Sequence, residues 1–158
     1  MIKTIRSAVF RRSAAGALML GTALGACAAQ AASLTMYRDP HCGCCLAWAE
    51  HMEQSGAHDV QAVDHPDMAA VKAQHGVPHD LRSCHTTIVD GYVIEGHVPA
   101  ADIERLLRER PAGIAGLAVA GMPMGSPGME HGGHQQPYQV VAFGPEGRSV
   151  WADYPGRH

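Results

Sequence analysis

The chain has 158 residues, with 12 lysines and arginines against 15 aspartates and glutamates and a formal net charge of −3. This acidic balance argues against a nucleic-acid partner. Three of the five cysteines fall within four residues, and all 11 histidines lie beyond residue 40, so the functional signal is sulfur chemistry rather than charge.

An export signal is predicted at residues 1–31. Its parts are four of the 12 basic residues, an uncharged apolar stretch at 14–28 and a small-x-small sequence before Ala32. The apolar stretch is shorter than the roughly 20 residues of a membrane helix, and no second candidate follows, so we expect no transmembrane segment in the exported chain. Residues 32–158, which are the length of one ordinary domain, are therefore predicted to act in the periplasm.

Two details of this leader concern the export route. Arg11-Arg12 suits a twin-arginine signal, and Cys27 lies in a sequence that resembles a lipobox, whose cysteine would become a lipid anchor. The alternative is that Cys27 is removed with the leader.

The first elements predicted after the leader are a strand, a helix, a second strand and a second helix. The strand at 33–37 alternates apolar and β-prone residues. A helix that starts at Cys44 places apolar residues on one face, namely Cys45, Trp48, Ala49 and Met52. Residues 60–63 predict the second strand, and residues 66–75 predict the second helix, with proline in its first turn.

The second half is predicted to continue with a hairpin, a helix, a long loop and another hairpin. An Asp-Gly turn divides the β-rich segment 86–95. Residues 99–110 predict an amphipathic helix with Ile103, Leu106 and Leu107 on its apolar face. The Gly-, Pro-, Met- and His-rich segment 113–136 is too long for a simple connector, and a C-terminal hairpin at 138–151 is predicted to extend the sheet.

The sequence Cys42-Gly43-Cys44-Cys45 lies where the first strand gives way to the first helix. A helix N-terminus stabilises thiolate, which is the form that attacks disulfides and binds metals. Successive side chains that enter a helix diverge, so one of the two adjacent sulfurs is expected to bridge or to point elsewhere. A structural zinc site more usually has two separated pairs of ligands, whereas thiolates on a short loop suit Cu(I).

The long loop carries a second set of soft donors. It contains three of the six methionines that follow the leader, with His131 and His134 beyond them. Two interpretations stay open: Met122 and Met129 bind copper as part of a flap, or they cover apolar core. His131 and His134 are expected to titrate in solvent, and the scattered histidines are expected to be polar surface, namely His51, His58, His65, His75 and His79.

The element order, with CxxC after the first strand, resembles the thioredoxin-like fold and in particular its glutaredoxin branch. The resemblance implies an α/β fold with a mixed sheet flanked by helices. Redox enzymes of this fold place a cis-proline opposite the cysteines, whereas this chain has Ser83-Cys84-His85-Thr86 there. We therefore expect Cys84 or His85 to face the CxCC sequence as a soft ligand. The alternatives are a Cys84 disulfide or buried thiol, and a hydrogen bond of His85 at the hairpin base.

Four segments together resemble the CopG family, which is associated with bacterial copper resistance and contains a domain of unknown function. They are residues 37–45, 83–86, 90–99 and 121–130. The resemblance implies copper bound by Cys42, Cys44 and Cys45, with Cys84 as a fourth sulfur. It leaves open whether copper is stored, transferred or cycled between Cu(II) and Cu(I).

The resulting hypothesis is a periplasmic copper-binding protein whose reduced cysteines take Cu(I), in exchange with other periplasmic copper-handling proteins. The predicted metal ligands are Cys42, Cys44, Cys45, Cys84, His85, Met122 and Met129. The competing hypothesis is a thiol oxidoreductase with Cys42 as nucleophile and Cys45 as the resolving cysteine. A third hypothesis is an exported domain with a structural Cys84 disulfide and no metal.

Overall fold

The computed structural model describes residues 32–157, which form three helices and a seven-stranded sheet. The predicted leader at 1–31, its twin-arginine sequence and Cys27 lie outside the described residues and stay predictions. Within the described range, every helix is too short or too polar to cross a membrane.

The strands and helices follow the predicted order, with one additional strand. They are β1 (Ala32–Arg38), α1 (Gly43–Gln54), β2 (His58–Asp64), α2 (Met68–Gln74), β3 (Thr86–Val89), β4 (Tyr92–Glu95), α3 (Ala100–Glu109), β5 (Gly116–Ala118), β6 (Tyr138–Gly144) and β7 (Gly147–Tyr154). A short 3-10 turn at His79–Leu81 precedes the loop that carries Cys84.

The sheet is mixed, with the strand order β2-β1-β3-β4-β5-β6-β7. The pairs β1/β2 and β4/β5 are parallel and the other neighbours are antiparallel. The mixed α/β class is therefore confirmed, and the β6/β7 hairpin extends the sheet as predicted. The narrower thioredoxin-like assignment stays a prediction.

Two apolar layers hold the sheet between them, because successive strand residues point to opposite faces. In β4, Ile94 joins the main core and Val93 joins a smaller cluster. The main core packs β-strand residues against the apolar faces of α1 and α3. Its helical members include the predicted residues Cys45, Trp48, Ala49, Met52, Ile103 and Leu106. This packing fixes the start of α1, and with it the CxCC sequence, against the sheet.

Two boundaries differ from the sequence predictions. The second helix begins at Met68 rather than at 66, because the Asp67 side chain accepts a 2.9 Å hydrogen bond from the Ala70 backbone N–H and so caps the helix. The segment 113–136 is not all loop, since it contains β5. A strand of three residues is too short to show a hydrophobic periodicity. β5 forms because its backbone N–H and C=O groups pair with those of β4 on one side and β6 on the other.

His58 corrects the prediction that the scattered histidines are polar surface. Its side chain is buried at the start of β2, with only 4% of the residue exposed. Burial lowers the pKa of His58 from its ordinary value of 6.5, partly opposed by the charge of Glu104, and neither ring nitrogen has a hydrogen-bond partner among the described residues. The imidazole is therefore held in its neutral form.

The free energy of unfolding is expected to fall as the pH drops below 6.5. The unfolded chain then binds a proton at His58, whereas the folded chain does not, because burial lowers the pKa of this imidazole. Well above 6.5 the residue is neutral in both states and contributes almost no pH dependence. Urea unfolding at about pH 7.5 and about pH 5.5 measures the fall, which should be smaller in His58→Gln. An identical fall in the two proteins would contradict the prediction.

Candidate metal centre

The CxCC sequence lies at the N-terminal end of α1. Cys42 is the N-cap residue, with extended backbone, so Cys44 and Cys45 lie in the first helical turn. The Arg38 guanidinium supports the preceding loop by donating to the carbonyl oxygens of Asp39 and Cys42 at 3.2 Å. The unpaired N–H groups of the first turn favour negative charge, which here would reside on thiolate sulfur.

The two adjacent cysteines, Cys44 and Cys45, differ in burial and in bonding, although both sulfurs lie within the same 4.8 Å group. Cys45 is fully buried and forms a disulfide with Cys42. Cys44 is half-buried and is a free thiol, as is Cys84. The alternative of a Cys84 disulfide is therefore wrong for this state of the protein.

Four sulfurs converge at this point, which we call the thiol cluster: Cys42, Cys44, Cys45 and Cys84. Cys44 Sγ lies 3.5 Å from Cys42 Sγ and 4.0 Å from Cys84 Sγ. All four Sγ atoms lie within 4.8 Å of one another, a grouping that could hold a metal ion. The structure thus places Cys84 opposite the CxCC sequence, where the thioredoxin-like resemblance implied Cys84 or His85.

Two imidazoles continue the cluster on the far side of Cys84. Its Sγ lies 3.2 Å from His85 Nδ1 and 3.0 Å from His97 Nε2, and these three residues form a second group that could hold a metal. His97 Nδ1 lies 2.8 Å from the Pro127 carbonyl oxygen and must donate to it, because a carbonyl only accepts. His97 Nε2 therefore presents its lone pair to Cys84.

His97 is the contact that the sequence analysis missed. It follows the hairpin strand β4 by two residues, and it is as buried as His85, at 0% exposure. The available signal was a histidine two residues after a predicted strand end. The separation of 13 residues from Cys84 hides the pair from any ligand-spacing rule.

Burial keeps this part of the cluster uncharged. Burial, together with the neighbouring Cys44, raises the pKa of the Cys84 thiol to about 12, against smaller opposing effects of Ser83 and Lys72. Burial also lowers the pKa of His85 well below its usual value, with added repulsion from His97 and Lys72, and lowers the pKa of His97. Cys84 therefore carries its proton until a metal or another sulfur replaces it.

The methionine-rich loop packs on the start of α1. Gly128 lies so close to the helix that a Cβ atom there would be 2.5 Å from the Trp48 backbone nitrogen and 2.9 Å from the Cys44 carbonyl oxygen. Glu130 Oε1 lies 2.8 Å from His51 Nε2. Met122 is 54% exposed and Met129 is half-buried, so their roles as ligands stay predictions. His131 and His134 are exposed, as expected.

Gly128→Ala is expected to lift this loop from α1, because Gly128 combines a positive φ of +81° with the close backbone approach. Amide hydrogen exchange should speed up in the turn where the Met129 N–H donates to the Ser126 carbonyl. Gly132→Ala is the matched control, since its φ is also positive at +60° but a Cβ there would meet open space. Equal acceleration in the two variants would contradict the prediction.

No cis peptide bond occurs between residues 32 and 157, so the loop before β3 lacks the cis-proline of thioredoxin-like redox enzymes. Cys84 occupies the space beside the reactive sulfurs instead.

Comparison with known proteins relates this geometry to a family. The solved structure of the copper resistance protein CopG, form 2, has a TM-score of 0.75 and 46% sequence identity, and the match covers 80% of this chain and all of that one. Form 1 matches with the same TM-score and coverage at 47% identity. The chain belongs to the CopG family.

The CopG assignment confirms the resemblance that the sequence carries. The family described as a protein of unknown function, DUF411, matches residues 81–129 of this CopG chain, a stretch that runs from the Cys84 loop through His97 to Met129. No curated protein matches the chain. The matched stretch therefore contains the half of the site that faces the CxCC sequence.

Proposed function

We propose that this chain binds copper as its cargo in the periplasm, where the reduced thiol cluster captures Cu(I) and contributes to copper resistance. The observation that carries the proposal is the convergence of four Sγ atoms within 4.8 Å. Thiolate sulfur is the donor that Cu(I) prefers, and sulfurs this close can be shared between ions. The copper-resistance proteins to which the chain is similar support the same metal.

The Cys42–Cys45 disulfide gives the site a redox requirement. Two electrons and two protons, supplied by an external dithiol, reduce this disulfide to two thiols and oxidise the donor to its own disulfide. Only then do all four sulfurs become ligands. Reoxidation of Cys42 and Cys45 by an external disulfide, which is reduced to two thiols, withdraws two of them, so we expect it to release bound Cu(I) to other periplasmic copper-handling proteins.

The imidazoles and the loop supply the remaining predicted ligands. His85 and His97 are neutral and lie against Cys84, so they can extend the sulfur site with nitrogen. Met122 and Met129 would add thioether sulfur from the loop. Cys84 must lose its proton before its sulfur can bind copper as thiolate, so we expect copper capture to release a proton.

The test is anaerobic titration of fully reduced protein with Cu(I) against a competing chelator, with native mass spectrometry to count bound ions. Several ions per chain, lost on serine substitution of the cluster cysteines, are the expected result. If the protein retains no more Cu(I) than the background in the presence of the chelator, the proposal is contradicted. Fractionation of the producing cells tests the periplasmic location.

A thiol oxidoreductase is the second candidate, and the Cys42–Cys45 disulfide favours it. In that reaction, a substrate thiolate attacks Cys42 Sγ, which is half-buried, and the fully buried Cys45 leaves as thiolate. Insulin reduction by the pure protein in the presence of a dithiol, lost in Cys42→Ser, would support this candidate. Lack of reduction together with Cu(I) binding would exclude it.

A further inference from the structure

A buried ionic network lies directly behind the Cys84 loop. Lys72 Nζ donates to Glu95 Oε1 at 2.7 Å and to Thr86 Oγ1 at 3.0 Å, and Thr86 Oγ1 in turn donates to Glu95 Oε2 at 2.7 Å. Glu95 and Thr86 are fully buried, and Lys72 is 5% exposed. The network therefore joins α2 to the β3/β4 hairpin with little exposure to solvent.

The Glu95 carboxylate also reaches the loop itself. Its Oε1 accepts the backbone N–H of Ser83 at 2.6 Å. Ser83 directly precedes the pair Cys84-His85, and Thr86 directly follows it, so the carboxylate holds both ends of that pair. From the hairpin side, the Gly96 N–H donates to the His85 carbonyl at 3.0 Å.

Stability alone does not account for this arrangement. Two buried charges cost desolvation free energy, and replacement of such a pair by apolar residues is often neutral or stabilising. An apolar pair in the same place would fill the volume but would present no acceptor to the Ser83 N–H. The charged pair therefore supplies a hydrogen-bond acceptor that the Ser83 N–H requires and that an apolar pair would lack.

We propose that Glu95 is a positioning residue that, through the Ser83 N–H and Thr86, holds the Cys84 sulfur against Cys44. We call the two contacts of Glu95, with the Ser83 N–H and with Thr86 Oγ1, the clamp. In the thioredoxin-like interpretation, the clamp takes the place of the cis-proline as the restraint on the loop that faces the CxxC sequence. The purpose of the restraint rests on the proposed copper function, because a metal site needs its ligands held before the ion arrives. The restraint itself is a property of the metal-free protein.

The test measures the proximity of Cys44 and Cys84 without metal. In protein that carries Cys27→Ser, Cys42→Ser and Cys45→Ala, these two cysteines are the only ones left. Equilibration with reduced and oxidised glutathione gives the effective concentration of one thiol at the other. Formation of the Cys44–Cys84 disulfide oxidises the two thiols and reduces one glutathione disulfide to two glutathiones, so the reaction is balanced.

Two matched double variants separate the clamp from the charges. Lys72→Met with Glu95→Gln removes both charges but keeps an amide oxygen for the Ser83 N–H, whereas Lys72→Met with Glu95→Leu removes the acceptor as well. Ser83 is half-buried, so water can replace the lost bond and the second variant is expected to fold. Circular dichroism and urea unfolding check this for both.

The expected result is an effective concentration at least about tenfold lower in the leucine variant than in the glutamine variant, since a released loop samples many positions. Equal effective concentrations in two folded proteins would overturn the proposal. If the difference appears but the parent protein binds no Cu(I), the clamp stands and the copper function fails. If Cu(I) binds and no difference appears, the copper function stands and the clamp fails.

Discussion

Cys84→Ser is expected to lower the affinity for Cu(I) by at least about 100-fold. Mutation of a residue that only hydrogen-bonds to a metal ligand already lowers metal affinity by about 10- to 100-fold, and loss of a ligand itself should cost more. Cys84 is central to the site: its sulfur lies 4.0 Å from Cys44 Sγ and within 3.2 Å of both neighbouring imidazoles. A serine oxygen is a poor donor for Cu(I), so the thiol cluster and the imidazoles lose the atom that joins them.

Chelator competition under anaerobic conditions measures this loss, and native mass spectrometry shows whether fewer ions bind. His41→Ser is the control, because His41 is exposed and directly precedes the CxCC sequence without belonging to either group that could hold a metal. We expect its affinity to stay within about threefold of the parent protein. Equal affinities of Cys84→Ser and the parent would show that Cys84 is no ligand.

Glu95→Ala is expected to lower the free energy of unfolding by about 3–5 kcal/mol, the cost of leaving one partner of a buried ion pair uncompensated. The Lys72 side chain, 7% exposed, would lose its carboxylate partner and retain the hydrogen bond to Thr86 Oγ1. Total stability of such proteins is only about 5–15 kcal/mol, so the variant should be close to its unfolding threshold.

Urea unfolding of the oxidised protein measures the change. Glu146→Ala is the matched control, since Glu146 is exposed and the same deletion should then cost less than about 0.5 kcal/mol. The double variant Lys72→Met with Glu95→Leu should recover most of the lost stability, because no unpaired charge remains buried. A cost below about 1 kcal/mol for Glu95→Ala would mean that the pair is solvated in solution.

Local patterns predicted most of the fold. The Asp-Gly turn marked the hairpin at 86–95, and the spacing of apolar residues marked the faces of α1 and α3, because both signals depend only on near neighbours in the chain. β5 escaped prediction for the opposite reason. Its three residues form a strand only because β4 and β6 lie on either side of it.

The site divides in the same way. The resemblance to the thioredoxin-like fold implied that Cys84 or His85 lies opposite the CxCC sequence. His97 could not be predicted, because its contact with Cys84 depends on how the chain leaves β4 and on the Pro127 carbonyl that orients its ring. The ion pair of Lys72 and Glu95 was equally hidden, since lysine and glutamate are ordinarily surface residues.

The sequence by itself determined the cluster of cysteines, the α/β class and the resemblance to the CopG family. These signals are cysteine spacing and hydrophobic periodicity, which depend only on residues close together in the chain. Only the tertiary structure decided which sulfurs pair, which thiols stay free, and which imidazoles and charges surround Cys84. These depend on distances between segments far apart in the chain. Burial then sets their protonation, since the cost of a charge depends on what surrounds it.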